Sequence, residues 1–161
     1  MLEIAFKEWA VVCKALVLGQ QSLILRKGGI AEVGGEFRPE YSRFWLYPTY
    51  LHEHRAGIKP EYMPLFDQAV AEHPPPGTVR LSHFVEVTSI RRFADWAQVE
   101  ALNDQHIWSP SAVRAKFDYR TPGLFVLTVQ VFPGAKAIEL KETPEYAGCK
   151  SWVKLERELP E

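Results

Sequence analysis

The stretch Gly123-Leu124-Phe125-Val126-Leu127-Thr128-Val129-Gln130-Val131-Phe132, then Pro133-Gly134 and Ala137-Ile138-Glu139-Leu140-Lys141, holds the strongest β signal in the chain. Its first part is a continuous run of β-branched and aromatic residues bounded by glycine and proline, which predicts a buried strand. Pro133-Gly134 reads as a turn and 137–141 as an antiparallel partner. Upstream, Val79, Leu81, Val85 and Val87 alternate with Arg80, Ser82, Glu86 and Thr88, so 79–90 reads as a long strand with one wet side. His83 shares the apolar parity and reads as a hydrogen-bonded core histidine. Downstream, 151–155 reads as a closing strand.

Toward the N-terminus, Leu2, Phe6, Trp9, Cys13, Leu16 and Val17 recur at a spacing near 3.6 and predict one helix over 2–17, with Gly19 past its end. The β-branched Val11, Val12 and Val17 make a strand the competing reading. Residues 22–26 and 43–47 read as short strands, the second closed by Pro48. The glycine pairs 28–29 and 34–35 make the intervening stretch a loop. Pro64 heads an amphipathic helix over 64–73, stopped by three prolines at 74–76. Asp95 and Gln98 form a capping-box pattern for a helix reaching toward His106. Strands and helices interleave without regular βαβ spacing. The fold class is therefore α+β: a small mixed, largely antiparallel, curved sheet or pseudo-barrel with flanking helices, in one domain of 161 residues.

A content of 47% apolar residues suits a self-sufficient core, and a net charge of -1 argues against capture of a polyanion by bulk charge. Any nucleic-acid contact must come from a local basic patch. Two cysteines, no charged and apolar leader and no membrane-length apolar run predict a reduced, cytoplasmic protein.

The best local patch is Arg26-Lys27 beside Gly28-Gly29: cations that can hold an anion next to backbone that can approach one closely. Arg43, Trp45, Thr49, His52, His106, Trp108 and Lys150 complete the candidate surface, with Trp45 or Trp108 available for stacking on bases. Trp45, Trp96 and Trp152 are equally readable as core. His52 and His54 share a strand face that a metal could bridge, but a third ligand must come from elsewhere. No zinc-peptidase, phosphate-loop, dinucleotide or Nudix pattern is present, and Ser109, Ser111 and Cys149 sit on no nucleophile elbow. Catalysis, metal and cofactor are therefore not expected.

The segments 25–30, 44–49, His106-Ile107-Trp108 and 148–153 together resemble the bacterial family called domain of unknown function 1802. That resemblance implies no activity, only an occasional association with restriction-type endonuclease domains. A second resemblance is carried by Gly19, Gln21, Ile24 and Arg26, which stand along the helix-Gly-x-Lys-x-x-Glu-x-Arg segment of ASCH domains. Those are PUA-like modules that bind RNA or modified bases. Gly19 and Arg26 match, whereas Gln21 replaces the lysine and Ile24 the glutamate, so the resemblance implies binding rather than acid-base work. The expected function is a nucleic-acid or nucleotide binding module that recognises modified bases and acts with a separate nuclease. The alternatives are a metal-dependent hydrolase using His52 and His54, or a protein-interaction module docking through the aromatic segment 47–50.

Overall fold

The structure, a computed structural model, describes residues 1–27, 41–50, 54–148 and 151–161. Six strands form one sheet in the order β2-β5-β4-β3-β1-β6. These are β1 (Leu2–Trp9), β2 (Leu23–Arg26), β3 (Arg43–Thr49), β4 (Thr78–Phe93), β5 (Leu124–Lys141) and β6 (Trp152–Leu159), joined by helices α1 (Ala10–Val17), α2 (Met63–Ala71), α3 (Trp96–Glu100) and α4 (Pro110–Asp118). β1 and β3 run parallel; every other pair is antiparallel. β5 and β6 stand four places apart in that order, yet residues 136–139 and 157–160 line one hollow of about 410 Å³. The sheet therefore curls toward a barrel without closing.

Two cores lie on its two faces, and the central strands serve both by strict alternation. On β3, Phe44 and Leu46 enter the larger core with α1, α2 and α4, while Trp45 and Tyr47 enter the smaller one with Tyr146, Val153, Leu155 and Leu159. On β1, Phe6 faces the first core and Ala5 the second, both fully buried.

Here the expected helix over 2–17 is corrected: its first half is β1, a strand wedged between β3 and β6. A strand covered on both faces has apolar residues at both parities, so it loses the two-residue alternation that would have distinguished it. The expected hairpin at Pro133-Gly134 is corrected as well. β5 runs through both residues as one strand, and the irregularity is a bulge opposite Ser82, where pairing jumps from His83–Pro133 to Leu81–Ile138. The bulge switches the parity of β4, sending Val79, Leu81 and Phe84 to the small core but Val85 to the large one. His83 accordingly leaves the apolar series; it is half-buried, 2.8 Å through Nδ1 from Ser82 Oγ. Pro48 does not close β3; it pairs with Glu8 across the parallel ladder. The capping helix after Asp95 ends at Glu100, with Asp95 accepting from the Ala97 N–H. No helix among the described residues is long and apolar enough to cross a membrane.

Candidate functional site

The C-terminal ends of β1, β2 and β3 meet α4 and the segment 106–108, and four polar or charged side chains converge there. Glu8 lies on β1 with its side chain 2% exposed. Its Oε1 accepts the Trp9 backbone N–H at 2.8 Å, while Oε2 has no hydrogen-bond partner among the described residues. Arg26 reaches in from β2: its guanidinium lies 4.5 Å from the Phe6 ring centre, donates to the Lys7 carbonyl and stands 3.7 Å from Glu8 Oε2. Its Nε is buried without a hydrogen-bond partner among the described residues. Lys116, on α4, places Nζ 4.1 Å from the centre of the Trp108 ring and donates no hydrogen bond among the described residues. Burial holds its ammonium below the usual lysine range; the Glu8 carboxylate pulls it back up and Arg26 pushes it further down. Trp108 is 1% exposed, and its indole N–H also has no hydrogen-bond partner among the described residues.

Local packing explains why the chain presents these groups together. Trp9 rests against Trp108 with ring centres 4.6 Å apart, and Gly57 makes room for it, since a Cβ there would approach the Trp9 ring to 3.3 Å. Gln21, 4% exposed, fixes the segment carrying Trp108 by accepting the Ile107 N–H at 3.0 Å and donating to the Leu23 carbonyl at 2.7 Å. The buried Lys59 donates to the carbonyls of Asn103 and His106. His106 accepts the Trp108 N–H through Nδ1 at 3.1 Å, and burial lowers its pKa to about 4, so it is neutral. Thr49 Oγ1 donates to the Glu8 carbonyl at 3.2 Å.

Among the sequence-derived candidates, Arg26, Thr49, His106 and Trp108 gather around this cluster. Others go elsewhere. Lys27 donates to the carbonyls of Phe117, Thr121 and Gly123, which uses its three N–H groups to close the C-terminal end of α4. Arg43 pairs with Glu86 at 2.9 Å and Glu161 at 2.6 Å. Trp45 is fully buried in the smaller core, its indole donating to the Leu2 carbonyl at 3.2 Å. Trp108 offers no open face, because Trp9 and Lys116 flank its ring. Gly28, Gly29, His52 and Lys150 lie outside the described residues.

Sequence reasoning missed Glu8, and it saw Lys116 only as one of many scattered cations among aromatics, not as a member of the site. Glu8 was hidden by the misread of β1. Lys116 lies on α4, a helix not expected from the sequence, though Ser109-Pro110 carries a start signal: Ser109 Oγ accepts the Ala112 N–H at 3.2 Å and Pro110 opens the first turn. Of the paired histidines, His54 stands edge-on to Trp9 with ring centres 6.1 Å apart, and no group of three or more His, Cys, Asp or Glu among the described residues is arranged to hold a metal. In the aromatic segment, Tyr47 is buried with its hydroxyl donating to Glu142 at 3.0 Å, and Tyr50 packs on His73 with ring centres 3.9 Å apart.

No curated protein matches the chain. Among solved structures it is similar to the ASCH protein of Zymomonas mobilis, with 14% identity and a TM-score of 0.55 over 96% of this chain and 88% of that one. Two single-residue variants of that protein match alike, with TM-scores of 0.57 and 0.54, identities of 14% and 13%, and coverage of 96% and 98% of this chain and 89% and 92% of theirs. The shared fold aligns with the curled sheet and its helices. Gln21 and Ile24, which the sequence resemblance set against an ASCH lysine and glutamate, are both buried here, Ile24 fully. A family model covers residues 5–161, and the chain belongs to that family, described as Domain of unknown function (DUF1802).

Proposed function

We propose that this chain is a nucleic-acid or nucleotide binding module whose ligand enters at Glu8, Arg26 and Lys116. One observation carries the reading: Glu8 Oε2, Arg26 Nε and the Trp108 indole N–H are buried with no hydrogen-bond partner among the described residues, and the half-buried Lys116 ammonium over the Trp108 ring donates no hydrogen bond there either. Buried polar groups in folded proteins are almost always paired. A cluster of unpaired donors and one unpaired acceptor at strand ends is arranged to bind something else. The ASCH-like fold supports nucleic acid as the class of ligand. On this reading the module works in the cytoplasm, recognises modified bases, and a separate nuclease does the cutting.

The test is fluorescence anisotropy with labelled RNA and DNA decamers, plain and base-modified, against wild type and Lys116→Met. A charged hydrogen bond contributes about 1.5–3 kcal/mol, so the variant should bind roughly ten- to a hundredfold more weakly. Equal affinity of the two proteins, or no binding by wild type, overturns the proposal.

A further inference from the structure

Resting on that reading, we infer that the cluster takes the neutral edge of a pyrimidine base, one donor position and two acceptors, and not a phosphate. The unpaired groups specify this by their type. Glu8 Oε2 is an acceptor, 2% exposed on its side chain, so only a ligand that donates can satisfy it. A phosphate brings acceptors alone and would set a second anion against a carboxylate with little water between them. The other buried groups of the cluster without a hydrogen-bond partner among the described residues are donors, Arg26 Nε and the Trp108 indole N–H, and the half-buried Lys116 ammonium over the Trp108 ring adds a third. The matching ligand edge therefore carries one donor position and at least two acceptors.

Uracil presents a carbonyl, an N–H and a carbonyl; cytosine presents an amino group, a ring nitrogen and a carbonyl. Guanine presents two donor positions and one acceptor on the same edge, which leaves one donor facing Arg26 or Lys116. Adenine supplies one acceptor beside its amino group, leaving protein donors unmatched. Trp108 takes part through its N–H and not through its face, since Trp9 and Lys116 already cover the ring. Arg26, the residue expected on phosphate, becomes a reader of the base edge. Recognition of this kind selects by hydrogen-bond type, where loss of one partner leaves a buried group unpaired.

The experiment compares ribodecamers of uridine, cytidine, adenosine, alternating adenosine and guanosine, and N3-methyluridine, with inorganic phosphate as competitor, on wild type and Glu8→Gln. Thermal unfolding of the variant establishes that it folds. The pyrimidine decamers should bind at least tenfold tighter than the purine ones, and N3-methylation should cost the uridine decamer at least tenfold. Millimolar phosphate should displace neither, and Glu8→Gln should cut pyrimidine affinity at least tenfold. If binding depends on Lys116 but the purine and methylated decamers bind as well as uridine, or Glu8→Gln changes nothing, this inference falls and the binding function stands. If no decamer binds wild type, both fall.

Discussion

Replacing Lys27 with methionine removes one ammonium and keeps most of the aliphatic stem, which isolates what the charge does. In the folded chain that ammonium donates to the carbonyls of Phe117, Thr121 and Gly123, around the C-terminal end of α4. Charged hydrogen bonds contribute more than neutral ones, and a cation at a helix C-terminus adds roughly 0.3–1 kcal/mol. Lys27 is only half-buried, so solvent takes part of each contact back. The net loss should be about 2–3 kcal/mol, which for a chain of this length lowers Tm by roughly 5–10 °C. Urea unfolding followed by tryptophan fluorescence, with RNA affinity measured on the same preparation, reads both quantities. The reasoning is refuted if Lys27→Met stays within about 0.5 kcal/mol of wild type while losing RNA affinity, because the ammonium would then serve a ligand and not the helix end.

Gly134→Ala should destabilise by about 1–3 kcal/mol, since the new Cβ would stand 2.7 Å from Trp45 Cη2 and 3.3 Å from the Ser82 carbonyl; a differential thermal scan checks it. His106 has its pKa lowered to about 4, so the unfolded chain binds more protons as pH falls below the ordinary histidine value. Stability should therefore drop by about 2 kcal/mol between pH 7 and pH 5. Urea titrations at the two pH values should show a shallower drop for His106→Asn, which keeps an acceptor for the Trp108 N–H. Lys116→Met should fold at least as stably as wild type, because it exchanges a partly desolvated cation that donates no hydrogen bond among the described residues for an apolar side chain; a lower midpoint in urea would show that the lysine serves the fold.

Where one face of an element meets water, the sequence spoke clearly. β4 was legible from its alternation and α2 from its stripe behind Pro64, while β2, buried at both parities, was legible only from its boundaries. Where both faces are covered it spoke ambiguously: the residues of β1 matched a helical period because Ala5 and Phe6 pack into different cores. The Pro133-Gly134 pair has the chemistry of a turn, but its setting is a bulge in a strand paired along nearly all its length with β4. The helix α4 has only Val113 and Phe117 fully buried, too few to make a stripe, and its signal was confined to its cap. The candidate site was legible in its residue types more than in its membership. Arg26 and Trp108 were expected and reach the cluster, whereas Lys27 and Trp45 have side-chain chemistry that serves a ligand or a fold equally well. Their partners decide between the two, and those partners are distant in sequence: Lys27 contacts Phe117 and Gly123, and Trp45 contacts Leu2.

The chain has five tryptophans, and an amide-correlation NMR spectrum of nitrogen-labelled protein resolves their side-chain N–H groups. On titration with a uridine decamer, the Trp108 indole, unpaired beside Lys116, should move most, and the Trp45 indole, bonded to the Leu2 carbonyl, should stay in place. Saturable binding that leaves the Trp108 resonance unmoved would contradict the site.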